Sequence, residues 1–123
     1  MNLLIVEDES DTLKFVSETV QSFGYSVISE VDAVRALQIF KERSDEIALV
    51  ISDIFMPAID GRDLIKNFKA IKPSVKVIAM SGYQIEDFVR QDIPLDDFLR
   101  KPFDGIDLIR KVNRMVRPKS LLS

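Results

Sequence analysis

Glu7, Asp8, Asp53, Ser81 and Lys101 are the side chains in this sequence from which a reactive site could be built. Each follows a short apolar run. Glu7 and Asp8 come after Asn2-Leu3-Leu4-Ile5-Val6, and Asp53 ends Leu49-Val50-Ile51-Ser52. Ser81 follows Val75–Met80, and Lys101 follows the brief stretch Asp96–Arg100. Carboxylates packed together repel, which raises at least one pKa unless a cation sits among them. The sequence has no His and no Cys, so the usual ligands for zinc or copper and the commonest general base are missing. A metal here must be a hard, oxygen-liking ion such as Mg²⁺, for which Mn²⁺ could substitute. Lys101 adds a point charge, and the Ser81 hydroxyl can donate to an anionic oxygen. Carboxylate, hard metal, lysine and hydroxyl are the parts needed to transfer a phosphoryl group onto Asp53. Asp53 alone would serve equally well as a cap for the loop that follows it.

These residues meet only if the elements before them are parallel strands. Runs of about four to eight apolar residues bounded by turn signals read as strands buried on both faces. Five such runs are predicted, at Asn2–Val6, Tyr25–Ser29, Ile47–Asp53, Val75–Met80 and Asp96–Arg100. Helical periodicity separates them. Ser10 or Asp11 would cap a helix with Leu13, Val16, Val20 and Phe23 inward, stopped by Gly24. Asp32 opens a second with Ala33, Ala36, Leu37 and Phe40 on one face. Asp60-Gly61 begins a third carrying Leu64, Ile65, Phe68 and Ile71, closed before Pro73. A short polar helix is expected between Gln84 and Gln91, and Asp104 caps a last one with Ile109, Val112 and Val116 inward. Alternating strands and helices mean repeated βαβ units: an α/β fold with a doubly wound parallel sheet between two helical layers. Every strand's C-terminal end then lies on one edge of the sheet, where such folds keep their ligand crevice.

With 123 residues, one domain is expected, spanning residues 1–117, with 118–123 as a frayed tail. Hydrophobic residues make up 46% and charged residues 30%, ordinary values for a globular protein. No apolar run approaches the roughly 20 residues of a membrane span. No basic leader precedes the first strand, and the lack of Cys fits a reducing compartment, so a cytoplasmic location is expected. The net charge of −3 is unevenly spread: residues 1–60 carry 4 basic and 12 acidic side chains, residues 61–123 carry 13 and 8. Arg110, Lys111, Arg114 and Arg117 alternate with apolar residues at helical spacing, so they read as a solvated helix face rather than a nucleic-acid surface.

Val6-Glu7-Asp8-Glu9, the stretch Asp53-Ile-Phe-Met-Pro-Ala-Ile-Asp-Gly61, Ser81-Gly82 and Phe98-Leu-Arg-Lys-Pro-Phe103 together resemble the receiver domain of bacterial response regulators. The resemblance runs over essentially the whole chain. It implies a flavodoxin-like (βα)₅ fold with strand order 2-1-3-4-5. It implies that Asp53 accepts a phosphoryl group from a phosphohistidine on a sensor kinase or phosphotransfer protein. Asp8 and Asp53 would hold Mg²⁺ directly, Glu7 largely through a water, and the Phe55 carbonyl would complete the set. Ser81 and Lys101 would grip the phosphoryl oxygens, and the Lys101–Pro102 bond would be cis. Ser81 and the aromatic Phe98 would form the switch. The side chains two residues beyond the acceptor and the hydroxyl, Phe55 and Tyr83, would stand at the mouth through which hydrolytic water approaches. The expected output is contact with a downstream protein through the helix at 84–91, the fifth strand and the last helix. Direct nucleic-acid binding is not expected, and the chain should be a monomer or weak dimer.

Three departures from the family pattern are visible: Ser81 stands where Thr is common, Phe98 replaces the frequent Tyr, and the segment before the fifth strand, Asp92-Ile93-Pro94-Leu95, lacks the usual Gly-Ala. Three other readings of the same fold fare less well. A phosphatase of the haloacid dehalogenase type needs a second Asp two residues after the nucleophile, and position 55 is Phe. A flavin or nucleotide module needs a phosphate-cradling loop, whereas Glu7-Asp8-Glu9 would repel phosphate. A scaffold that binds partners without phosphorylation would not need the complete residue set.

Overall fold

The computed structural model describes residues 2–82 and 93–116. Five strands, β1 (Asn2–Val6), β2 (Ser26–Glu30), β3 (Ile47–Asp53), β4 (Lys76–Ser81) and β5 (Asp97–Arg100), form one parallel sheet in the order β2-β1-β3-β4-β5. The helices among the described residues are α1 (Ser10–Ser22), α2 (Ala33–Arg43), α3 (Gly61–Ile71) and α4 (Gly105–Met115). This is the flavodoxin-like α/β architecture that the alternating pattern predicts. The helix expected at 84–91, Tyr83 and the tail at 118–123 lie outside the described residues.

Alternation along the strands divides the core in two. Leu3 and Ile5 of β1, Ile78 and Met80 of β4 and Leu99 of β5 pack with Leu13, Val16 and Val20 of α1 and Leu108, Ile109 and Val112 of α4. Leu4, Val6, Val77 and Ala79 face the other way, onto Ala36 and Phe40 of α2 and Leu64, Ile65 and Phe68 of α3. The Phe40 and Phe68 rings meet edge to face with centroids 4.9 Å apart. Beside β1, strand β3 carries a register irregularity, with Asn2 opposite Ile47 but Leu3 opposite Leu49. One residue is thereby skipped, so Ile47 and Val50 share a face although three positions separate them.

Several predicted positions are corrected. The cap of α1 is Glu9, not Ser10 or Asp11: its carboxylate accepts from the backbone N–H of Asp11 and Thr12, each at 3.0 Å, and from the Thr12 hydroxyl. A Glu at this position reaches the same orphan donors that a shorter side chain would. Phe23 and Ile71 are exposed rather than inward, at the C-terminal ends of α1 and α3. Strands β2, β4 and β5 each begin one residue later than predicted. Tyr25 still bonds back to Val20 and Val75 to Lys72, so turn geometry occupies their N–H groups. The caps Asp32, Asp60 and Asp104 and the stop at Gly24, which has a φ of 94°, stand as read.

Candidate functional site

Parallel strands bring Glu7 and Asp8 after β1, Asp53 at the end of β3, Ser81 at the end of β4 and Lys101 after β5 to one edge. The neighbours are set by register. Asp53 pairs with Met80 across β3 and β4, and Ser81 pairs with Arg100 across β4 and β5. The Lys101 N–H donates to the Ser81 carbonyl at 2.8 Å, which anchors the lysine stem beside the serine. The Lys101–Pro102 peptide is cis.

The charged groups converge. Lys101 Nζ donates to Glu7 Oε1 at 2.5 Å and to Asp53 Oδ2 at 3.0 Å. The second Asp53 oxygen accepts from the Phe55 N–H at 3.0 Å, and Glu7 Oε2 accepts from the Glu9 N–H at 3.2 Å. Carboxylate oxygens of Glu7, Asp8 and Asp53 all lie within 4.8 Å of one another. Alternation along the chain buries Glu7 completely and leaves Asp8 exposed, so the cluster opens to solvent on one side. Ser81 is buried, and no buried side-chain nitrogen or oxygen among the described residues lacks a partner.

Burial pushes the Glu7 carboxyl up to about 7, and the adjacent Asp53 carboxylate adds to this. The hydrogen bonds from Lys101 and the Glu9 N–H pull in the opposite direction without overcoming it. Burial also disfavours the Lys101 ammonium, but its bonds to Glu7 and Asp53 outweigh that and hold its pKa above the ordinary lysine value. At neutral pH Lys101 is therefore charged, while Glu7 holds its proton to a higher pH than an ordinary glutamate does. An oxygen-only donor set of three converging carboxylates suits a hard divalent cation and offers nothing to a soft one.

The Phe55 ring is 56% exposed beside the acceptor, and its backbone bridges to Asp60. Phe98 is half-buried on β5, packed against the α2–α3 side of the core. Three features of the site escaped the sequence reading. An apolar groove of about 450 Å³, lined by Asp11, Thr12, Phe15, Lys101, Pro102 and Phe103, adjoins the lysine. Gly61 packs so tightly under the acceptor loop that a Cβ there would lie 2.3 Å from the Ile54 carbonyl oxygen. Lys111, read as part of a solvated face, instead donates to Asp97 at 3.0 Å and lies 5.1 Å from the Phe98 ring centroid. The Gly after Asp60 and the paired aromatics of Phe15 and Phe103 were signals for the first two. For Lys111 no local signal exists, since its partners are far away in sequence.

Similar proteins align with most of the chain. The sensor kinase CckA of Brucella abortus is 36% identical over 117 residues, covering 93% of this chain but 12% of its own. The response regulator SaeR of Staphylococcus aureus is 27% identical over 94% of this chain. The chain spans 50% of the length of SaeR. A chain of the CheX–CheY–BeF3–Mg²⁺ complex of Borrelia burgdorferi superimposes with a TM-score of 0.86 at 27% identity, covering 93% of this chain and 87% of that one. The model of the response regulator receiver domain matches residues 3–113, a span that takes in all of the sheet but Asn2 and every residue of the acidic cluster. With its sheet order, its convergent carboxylates and that match, this chain belongs to the response regulator receiver domain family, the phosphoacceptor module of two-component signalling.

Proposed function

We propose that Asp53 is the phosphoacceptor and that it takes its phosphoryl group from a phosphohistidine on a sensor kinase or phosphotransfer protein. The observation that carries this is the Lys101 ammonium bridging Asp53 and Glu7, with Asp8 completing the acidic cluster. A lysine so placed neutralises the acceptor at rest and can follow the anion that arrives on it. Glu7, Asp8 and Asp53 would hold Mg²⁺, or Mn²⁺ in its place, together with the Phe55 carbonyl. When bound, the ion supplies divalent charge against the phosphoryl oxygens. The BeF3 and Mg²⁺ named in the related Borrelia burgdorferi complex answer the same two needs, a phosphoryl-like anion and a hard cation.

In the transfer, an Asp53 carboxylate oxygen forms a bond to phosphorus as the P–N bond to the donor imidazole breaks. The electron pair leaves with the imidazole. The Phe55 N–H holds the carboxylate in orientation, while Lys101 and the Ser81 hydroxyl grip the transferred group. The chain catalyses only its own phosphorylation and dephosphorylation. Ser81 and Phe98 then carry the change to a downstream protein that binds around β5 and α4, without direct nucleic-acid contact. The domain would occupy residues 1–117 in the cytoplasm, as a monomer or weak dimer. Among the described residues no helix is long and apolar enough to cross a membrane.

Acetyl phosphate with Mg²⁺ should add the mass of a single phosphoryl group, labile to hydroxylamine as acyl phosphates are. Asp53→Asn should abolish the addition, and so should chelation of Mg²⁺. Labelling that persists in Asp53→Asn assigns the acceptor elsewhere.

A further inference from the structure

Phe98 and Asp97 are neighbours on β5, so their side chains leave the strand on opposite faces of the sheet. Phe98 packs on the α2–α3 side of the core, while Leu99, the next residue, packs on the α1–α4 side. Lys111 belongs to α4, whose buried residues Leu108, Ile109 and Val112 all lie on that second side. Yet its ammonium contacts both neighbours. It donates to Asp97 Oδ1 at 3.0 Å and stands 5.1 Å from the centre of the Phe98 ring. The same Asp97 oxygen accepts the Phe98 N–H at 2.8 Å. Because β5 is the edge strand, the lysine can reach around it. Asp97, Phe98 and Lys111 thus form a clasp closed over the free edge of the sheet.

The clasp is better made than an ordinary surface ion pair. The side chains of Lys111 and Asp97 are 26% and 17% exposed. Partial burial strengthens both the ion pair and the attraction of the ammonium for the ring. Helix α4 is fixed to the sheet by its buried face and by Tyr25, whose hydroxyl donates to Asn113 and lies 3.1 Å from the Val116 carbonyl. The ammonium is therefore held by a rigid element, and the Phe98 ring is the part of the clasp able to move away.

We propose that Lys111 is a positioning residue for the Phe98 switch. It holds the ring in its resting place and so opposes the reorientation that follows phosphorylation, which makes it a brake on signalling. The inference rests on the phosphoacceptor reading, with Phe98 as the moving aromatic. A contact present in the resting state and lost in the activated one lowers the affinity for whatever favours activation. Removing the cation should then raise the affinity of the site for its activating anion, and the two effects must match by linkage.

Phe98 replaced by 4-fluorophenylalanine gives a single ¹⁹F signal for the ring. Lys111→Met keeps the side chain's length and apolar stem, and Lys111→Arg keeps the charge. In the absence of ligand, the Lys111→Met signal should move toward the position seen with beryllofluoride and Mg²⁺, and Lys111→Arg should restore the wild-type position. Beryllofluoride in excess Mg²⁺ should bind Lys111→Met about three-fold more tightly than wild type, the scale of one partly buried cation–ring contact. An unchanged resting signal in Lys111→Met overturns the clasp. A moved signal with unchanged beryllofluoride affinity overturns the brake. Failure of the wild-type chain to bind beryllofluoride at all removes the phosphoacceptor reading and the brake with it, and the resting ¹⁹F signals then show separately whether the ring is clasped.

Discussion

Glu7→Gln isolates the electrostatic cost built into the site. The substitution keeps the side chain's shape but cannot ionise, and its single amide oxygen can accept from either Lys101 or the Glu9 N–H, which bond to different oxygens of Glu7. In the folded chain the Glu7 pKa is raised from 4.5 to about 7. A raised folded-state pKa means that this group's contribution to stability is fully present below pH 4.5 and is lost as pH rises through 7. That interval corresponds to a loss of about 3 kcal/mol by pH 8. Urea unfolding followed by far-UV circular dichroism, in EDTA from pH 4.5 to pH 8, reads the effect directly. Comparing the variant with wild type cancels every titration the two share. The difference should grow by about 3 kcal/mol in favour of Glu7→Gln across that range. With Mg²⁺ in place of EDTA at pH 8, wild type should regain stability and the variant much less, since a ligand that binds only the folded state stabilises it. If the difference is independent of pH in EDTA, burial does not hold Glu7 protonated and the account of the cluster is wrong.

Two further outcomes follow from the acceptor loop. The ring of Phe55 stands exposed beside Asp53 and offers nothing to orient a water, so Phe55→Asn and Phe55→Glu should shorten the phosphoryl lifetime roughly ten-fold. Decay of the phosphorylated mass gives the rate, and lifetimes unchanged or lengthened in both variants rule the ring out as a gate. Gly61→Ala should destabilise the fold by about 3 kcal/mol or more, since the new Cβ would meet backbone atoms of Ile54 at 2.3 to 2.8 Å. A midpoint of urea denaturation within error of wild type would show that the loop yields freely.

The site was legible because its residues end strands whose apolar runs are buried on both faces and leave little doubt about direction. Once Asn2–Val6, Ile47–Asp53 and the fourth run are parallel, Glu7, Asp53 and Ser81 must share an edge. Helix starts at Asp32, Asp60 and Asp104 were equally plain, since a carboxylate before an apolar stripe has one favoured job. The rest depended on distances that periodicity does not encode. Phe23 and Ile71 keep the helical spacing, but both are exposed at the C-terminal ends of their helices. The skipped residue beside Asn2 comes from how two strands meet, not from either strand alone. Lys111 has the spacing of a surface lysine, and only the position of the edge strand turns it inward to Asp97 and Phe98.

The charges at the strand edge explain why one set of residues must serve at rest and in reaction. Three carboxylates converge there, and the cation bound to Glu7 and Asp53 is Lys101. One ammonium cannot offset three ionised carboxylates, and burial raises the Glu7 pKa so that this carboxyl resists ionisation. On the proposed reading, a phosphoryl group on Asp53 would bring further negative charge, which neither Lys101 nor the proton on Glu7 could balance. A hard divalent cation held by the three converging carboxylates would supply the missing charge and let Glu7 ionise. Metal binding should therefore release a proton near neutral pH, and the phosphoryl group should be stable on Asp53 only where that exchange has occurred. On this reading, metal dependence and the raised Glu7 pKa would share one cause: a glutamate buried at the end of β1 beside Asp53.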